Sequence, residues 1–509
     1  MAGGFEGRLI DRLISAHLER SPDSPAIVQT AGDGERVEVS FRELAGWVLH
    51  VRRRLSEQSI EPGDRVVLFL PNSIEYIVSF LAVNSLGATA VPVDVGGGPE
   101  RLEFVAGDAT ASAVISRPGI DCEPSGLPRL DVDRSDRESE EAASTKVGGP
   151  ALDAAVLLYS SGSTGVPKGA VLGDRHLVAI AEMLSEYCGI GEAHREMVVC
   201  PLTHSGAWQR VSATLSRGGT VVVPGGTPSV PMLLETVAEE RINGFFATPP
   251  WLRLLLRSPE DRVREAFETC RMIETASSPL AADEIASLRE LLPQVRLLYQ
   301  YGLTECSRAF ILDTTNYPER LGTVGTPTPG VTIRIQREDG SEAEAGEEGE
   351  ILLAAPQRAE SYWGRPDLDE SSFQGPWLKT GDCGALAEDG FLTLRGRKDD
   401  MINCGGFSYH PAEVERALKD LEGVREVLVA GVPDPQGLVS QVPWAFVVTD
   451  GEVPTRELMA RARASLAPAM HPRKYVAVES FVATTNGKVS RRRTVEEYGP
   501  KSVPEGAHV

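Results

Sequence analysis

The densest run of phosphate-seeking residues lies at 155–172, AVLLYSSGSTGVPKGAVL. An apolar strand leads into six consecutive Ser, Gly and Thr residues, Ser160 to Gly165, and then into Pro167-Lys168-Gly169. Such a run offers unencumbered backbone N–H groups, the hydroxyls of Ser161, Ser163 and Thr164, and one cation, Lys168, which together can hold a polyphosphate. It is not a Walker A loop, because Lys168 is followed by Gly169 rather than by Ser or Thr. A Ser/Gly-rich loop alone is also what a flexible connector looks like. Other short motifs are equally double-edged. YGLTE at 301–305 reads by itself as a strand end and a helix cap, and TGD at 380–382 as a turn. Lys488 of NGKVSRR reads as a solvated lysine in a basic tail, and His204 of PLTH as a packed histidine.

The elements that must position these residues alternate between β-branched runs and helical patterns. VVLFL at 66–70 precedes SIEYIVSFLAVNSLG and then ATAVPV; GTVVVPGG at 219–226, MLLETVAEERI at 232–242 and GFFATPP at 244–250 repeat the order. This predicts an α/β fold with parallel-rich sheets covered by helices. Tyr76 to Val93 carries no charge over 18 residues, but Asn84, Ser85, Gly87 and Pro92 interrupt it. A buried helix ending near Gly87, then a strand through Ala88 to Val93, fits these breakers better than a membrane span. Residues 121–150 are polar and read as a surface connection. Past about residue 320, strand pairs around acid-rich turns predict a β subdomain. Past Asp399, a Pro-started amphipathic helix, apolar strands and a second helix predict a small α+β domain. The turn Lys398-Asp399-Asp400 is the expected hinge, which divides the chain into 1–398 and 399–509.

Composition narrows the class. The chain has 509 residues, with 51 basic and 73 acidic, a net charge of −22. So anionic a protein repels nucleic-acid backbones and anionic lipid surfaces, yet a few local donors suffice for a small phosphate ligand. The 41% apolar content supports a large buried core. Seven cysteines are scattered without a CxxC pair, and the N-terminus has no apolar run of signal-peptide length, so a reducing cytoplasm is expected.

The full loop YSSGSTGVPKG resembles the acyl-adenylate-forming superfamily of acyl-CoA synthetases, adenylation domains and beetle luciferases. The resemblance extends in order through LPNSIEYIVSFLAVNSLGATAVPVD, PLTH at 201–204, YGLTE, KTGD at 379–382, GRKDDMINCGGFSYHPAEVE at 396–415 and NGKVSRR at 486–492. It implies a large N-terminal domain for ATP and acid, and a small mobile C-terminal domain that swings between two half-reactions. In the first, a carboxylate attacks the α-phosphorus of ATP and pyrophosphate leaves.

The resemblance assigns roles residue by residue. Ser161, Ser163, Thr164 and Lys168 would grip the β- and γ-phosphates, and Ser277 would join the nucleotide set. Tyr301 and Gly302 would flank adenine, Thr304 would donate to the α-phosphate, and Glu305 would bind Mg²⁺. Asp382 would accept from the ribose hydroxyls, with Arg397 at the same sugar. Lys488 would bridge the carboxylate and the α-phosphate. Asp399 falls at the hinge, Gly405 and Gly406 fall along the thiol tunnel, and His204 lies between acid and thiol.

The acid is read from what surrounds it. Family domains for α-amino acids carry an aspartate just after the position of His204, where this chain has Ser205. Trp208, Phe246, Ala247, Thr248 and Ser278, with Ser277, make an apolar slot suited to an aryl, alicyclic or acyl carboxylic acid. Coenzyme A is the expected acceptor, with Arg473, Lys474 and Arg491 to Arg493 as a basic patch. Carrier-protein phosphopantetheine, release of the acyl-adenylate and an inactive ligand-binding relative are the alternatives. The cysteines, Cys306 and Cys404 included, are read as bystanders.

Overall fold

The β-branched runs become strands, of which the central ones are buried on both faces, as parallel sheets between helix layers require, while edge strands such as β2 are partly exposed. In chain order they are β1 (Pro25–Thr30), β2 (Arg36–Ser40), β3 (Arg65–Leu68), β4 (Thr89–Pro92), β5 (Ala113–Ser116), β6 (Arg129–Asp131), β7 (Val156–Ser160) and β8 (Lys168–Leu172). Then come β9 (Arg195–Val198), β10 (Thr220–Pro224), β11 (Gly244–Ala247), β12 (Met272–Thr275), β13 (Arg296–Tyr301), β14 (Phe310–Asp313) and β15 (Thr326–Pro327). This computed structural model describes residues 8–30, 35–122, 126–138, 147–160, 166–276, 280–404, 407–419, 421–434, 436, 439–449, 451–483 and 489–500.

Two compact units result, one of Met1–Ile333, Leu352–Lys379 and Asp389–Leu392, the other of Arg334–Ile351, Thr380–Glu388 and Thr393–Val509. In the first, a six-stranded sheet runs β6-β5-β3-β4-β7-β8, parallel except for the β7–β8 hairpin. A nine-stranded sheet runs β15-β14-β13-β12-β11-β9-β10-β1-β2, parallel from β1 to β13 with antiparallel strands at both edges. The uncharged stretch folds as expected, a buried helix Ile74–Leu86 capped by Gly87 and followed by β4. Among the described residues no helix is long and apolar enough to cross a membrane. The polar stretch 121–150 is not purely a connection: Leu130 and Val132 are buried, and β6 pairs parallel with β5 at the sheet edge.

Strands Trp377–Leu386 and Leu392–Arg397, which begin in the first unit and continue into the second, are paired. A hairpin of Ile402–Cys404 and Phe407–Tyr409 precedes the helix Pro411–Leu418. Val424–Pro433 and Gln441–Thr449 pair antiparallel, and Lys474–Ala477 adds to the latter in parallel. Helices Thr455–Ser465 and Arg491–Tyr498 complete the unit. The expected α/β architecture, large and sheet-rich at the N-terminal end with a small α+β portion at the C-terminal end, is the one observed.

Candidate active site

The phosphate-loop hairpin is closed by the pairing of Ser160 with Lys168, so Lys168 sits at the mouth of the loop as the first residue of β8. Ser161, Ser163 and Thr164 lie outside the described residues, as do Ser277, Ser278, Gly405, Gly406 and Lys488. A segment from far along the chain lies beside β8. The Trp363 N–H donates to Gly169 O at 2.8 Å and the Val171 N–H to Ser361 O at 3.0 Å, which sets Tyr362 opposite Ala170. Side chains alternate along a strand, so Lys168, two residues before Ala170, points to the same face as Tyr362.

Glu305 completes a trio there. Lys168 Nζ donates to Tyr362 Oη at 2.5 Å, Tyr362 Oη donates to Glu305 Oε1 at 2.6 Å, and the ammonium lies 3.3 Å from that same oxygen. The Lys168 ammonium also sits over the Tyr362 ring, 4.0 Å from its centroid. The Ala359 N–H donates to the Glu305 carbonyl at 2.7 Å, so the 359–363 segment holds both the backbone and the carboxylate of Glu305. Tyr362 gave no signal in the sequence, where it is one tyrosine in a Gly- and Pro-containing turn.

YGLTE leaves β13 at Tyr301 and forms a tight loop, not the helix cap that its residues suggest in isolation. The Leu303 N–H donates to Cys306 O at 3.0 Å and the Cys306 N–H to Leu303 O at 3.2 Å. A Cβ on Gly302 would lie 2.5 Å from Arg308 N and 2.8 Å from Cys306 O, so only glycine lets the loop fold back on itself. Tyr301 is buried, and Thr304 is half-buried beside Glu305. Burial pushes the Cys306 thiol up to about 12, which leaves it protonated and unreactive.

Beyond the loop the chain is anchored by charge. Arg308 is wholly buried; its Nε donates to Glu274 Oε1 at 2.7 Å, Nη1 to Gln209 Oε1 at 2.6 Å and Nη2 to Gly206 O at 3.0 Å. Glu274 is also 3.3 Å from Arg210 Nη1, and Arg210 Nε donates to Glu196 Oε1 at 3.0 Å. Glu196 accepts in turn from His194 at 2.7 Å. Burial alone would raise the Glu196 carboxyl, but the charge of Arg210, helped by His194, brings it down to about 2. Side chains at 194, 196, 210, 274 and 308 carry no mark in the sequence that they meet.

Of the expected acid-site residues, Trp208 lies on the helix Ser205–Ser216, and Phe246, Ala247 and Thr248 lie at the end of β11. His204 is the N-cap residue of helix Ser205–Ser216, whose first turn supplies Gly206 O to Arg308. Phe246 and Ala247 end β11, and Thr248 starts the helix Pro249–Leu256. The Arg308 guanidinium lies over the Phe246 ring at 5.3 Å. Trp208 points to the other side of its helix, its ring 3.8 Å from that of Phe80 and 6.3 Å from that of Tyr76.

In the second unit, Arg397 Nη1 donates to Asp382 Oδ1 at 3.1 Å and to Thr380 O at 2.8 Å. TGD lies within the strand Trp377–Leu386 and is not the turn its residues suggest; Gly381 has φ +68°, and a Cβ there would lie 2.7 Å from Arg397 Nη2, so the segment needs its glycine to bring the two charges together. Asp399 is the middle residue of the single turn Lys398–Asp400 that follows the Arg397 strand, and it stands 3.8 Å from Arg397 Nη2. Arg491 is partly committed to structure, with Nη1 donating to Val429 O at 2.9 Å and paired with Glu415.

With this geometry in place, comparison with known proteins is decisive. The AMP-binding enzyme model matches residues 14–363, and the AMP-binding enzyme C-terminal domain model matches residues 413–488. The chain belongs to the AMP-binding enzyme family. The feruloyl-CoA synthase of an Amycolatopsis species is 30% identical over 475 residues, 91% of this chain and 94% of that protein. The 2-succinylbenzoate–CoA ligase of Bacillus velezensis is 30% identical over 468 residues, with the same coverage of 91% and 94%. Among solved structures, the O-succinylbenzoate coenzyme A synthetase of Bacillus subtilis in complex with ATP and magnesium ion superimposes with a TM-score of 0.83 at 27% identity, covering 95% of this chain and 99% of that one. The same enzyme with its acyl-adenylate intermediate gives a TM-score of 0.84. The resemblance to acyl-adenylate-forming enzymes and the reading as an AMP-forming ligase both hold.

Proposed function

We propose that this enzyme, in the cytoplasm, uses ATP to activate an aryl, alicyclic or acyl carboxylic acid that lacks an α-amino group, and passes it from the acyl-adenylate to coenzyme A. The observation that carries this reading is the convergence of Lys168 and Glu305, 3.3 Å apart, in a largely buried corner at the mouth of the phosphate loop. A cation for phosphate oxygens and a carboxylate for a metal ion are the two groups that a departing pyrophosphate needs. The donor set fits magnesium. No cluster of three or more His, Cys, Asp or Glu among the described residues could hold a metal unaided, whereas magnesium is commonly bound by one or two carboxylates plus substrate phosphates. When bound, the ion supplies charge neutralisation at the triphosphate.

The residues of the chain do the rest. Lys168 holds the outer phosphates with Ser161, Ser163 and Thr164. Thr304 donates to the α-phosphate, and Tyr301 flanks the adenine. Asp382, an acceptor-only group, takes ribose hydroxyls, and Arg397 orients it. Lys488 draws the incoming carboxylate onto the α-phosphorus, where two anions would otherwise repel. Asp399 serves as hinge at a boundary between 398 and 399, and Gly405-Gly406 admit the pantetheine arm.

An amino-acid substrate fits poorly. Ser205 follows His204, and Glu274, the buried carboxylate behind Phe246, is already paired with Arg308 and Arg210. An unpaired ammonium in such a slot would be costly. The relatives named above act, by their names, on aromatic acids with CoA, in keeping with an aryl acid here.

Acid-dependent exchange of labelled pyrophosphate into ATP, across aryl, alicyclic, acyl and α-amino acids, tests the first half. Exchange with none of them removes the enzyme reading, and exchange confined to amino acids removes the proposed substrate class. Mass analysis with CoA or with a phosphopantetheinylated carrier protein tests the second half; thioester on the carrier alone overturns CoA as acceptor.

A further inference from the structure

The Lys168–Tyr362–Glu305 trio has a fixed direction. An ammonium can only donate and a carboxylate can only accept. The Tyr362 hydroxyl must therefore accept from Lys168 at 2.5 Å and give its proton to Glu305 Oε1 at 2.6 Å. It bonds to both members of an ion pair, since Lys168 Nζ lies 3.3 Å from the same oxygen. Without the hydroxyl that pair would be free to close further and tie the phosphate cation to the metal carboxylate, and Mg·ATP would have to draw each from the other.

We propose that Tyr362 is a positioning residue for the magnesium carboxylate. Its hydroxyl fixes one oxygen of Glu305 and shares Lys168, so that the carboxylate is presented to the metal and the ammonium to the phosphates. The strand pairing of 361–363 with β8 and the bond from Ala359 N–H to Glu305 O make this placement rigid. The inference rests on the reading of Glu305 as the metal ligand.

The substitution Tyr362→Phe removes only the hydroxyl. It keeps the ring that packs on Phe373 at 5.3 Å and under Lys168 at 4.0 Å. ATP binding is measured by titration calorimetry on the whole chain, once with Mg²⁺ and once with EDTA. Y362F is expected to weaken Mg·ATP about tenfold, the scale of one hydrogen bond to a charged group, and to leave metal-free ATP nearly unchanged. The Mg²⁺ concentration for half-saturation should rise with it. Equal weakening with and without metal, or no change in either, overturns the proposal. Glu305→Gln separates the two layers of the argument. If E305Q keeps a normal Mg²⁺ response, the metal assignment itself fails; if E305Q loses the response and Y362F does not, only the role of Tyr362 fails. A crystal structure of the unaltered chain with Mg²⁺ and a non-hydrolysable ATP gives an answer independent of either variant. Tyr362 Oη should remain within hydrogen-bond distance of Glu305, and a Tyr362 turned away from it overturns the inference.

Discussion

Arg308 and Glu274 meet where no water reaches, guanidinium Nε to carboxylate Oε1 at 2.7 Å, and the bond pins the end of the YGLTE loop to strand β12. The remaining Arg308 donors reach Gln209 and Gly206, so one side chain locks the nucleotide loop to the helix that starts at Ser205. Arg308 has φ +52°, a backbone conformation that the surrounding bonds must hold in place. Removing one partner of a buried pair costs about 3–5 kcal/mol, because the other charge is left behind. Arg308→Met should fall toward the lower end of that range, since Glu274 keeps Arg210. The double variant R308M/E274Q should recover part of the loss. Urea denaturation of the three proteins checks both statements.

Gly302→Ala tests the tight turn. Its Cβ would press on backbone atoms of Arg308 and Cys306, which cannot move aside as a flexible side chain could. Overpacking of this sort costs about 1–3 kcal/mol, and here it would displace Thr304 and Glu305. Pyrophosphate exchange should fall by more than the small loss in melting temperature explains. Full exchange in G302A would show that the loop tolerates the displacement.

His176 makes stability depend on pH. It is buried, and its Nδ1 accepts from the Gly173 N–H at 2.9 Å at the start of helix Asp174–Cys188. Burial first, then the charge of Arg175, brings the ring down to about 4 from its ordinary 6.5. The folded protein thus keeps the ring neutral where the unfolded chain protonates it. The contribution is complete above pH 6.5 and is lost as the pH falls toward 4, a total of about 3 kcal/mol. His176→Gln, which retains an acceptor, should flatten the stability curve across that window in denaturation series run from pH 7 to pH 4.

The two half-reactions should separate by substitution. Lys488→Ala should abolish pyrophosphate exchange, because no other cation is assigned to the attacking carboxylate. Gly406→Leu should spare exchange and block thioester formation if Gly406 admits the pantetheine arm as proposed. Equal loss of both activities in either variant argues against separate roles for the two positions.

Much of the fold was legible because its signals are local. The uncharged run at 76–93 contained its own helix stop at Gly87, and short apolar runs became strands β3, β4, β10 and β11. Lys168 and Glu305 could be picked out because motifs surround them. Contacts made by pairing of distant segments left no trace. Tyr362 reaches Glu305 only through an isolated bridge to Ala170 of β8, and isolated charges such as Glu196 or Arg210 look like surface residues until the fold brings them together. YGLTE looked like a helix cap because its residue types suit one; the long-range pull of Glu274 on Arg308, together with the Leu303–Cys306 bonds, makes it a loop instead. In the 121–150 stretch, two buried apolar residues among many polar ones were enough to make an edge strand.

The pairing of 361–363 with β8 also sets when the site can exist. Lys168 and Tyr362 are 194 residues apart, and strands β9 to β15 lie between them. A nascent chain that has completed only the six-stranded sheet owns the phosphate loop but neither Glu305 nor its tyrosine. Contacts so distant along the sequence close late, after the intervening sheet has carried the chain back. If these residues hold Mg·ATP as proposed, it finds no complete cradle on a growing polypeptide. It would guard the finished enzyme against unfolding by mass action, yet do nothing to hasten its birth on the ribosome.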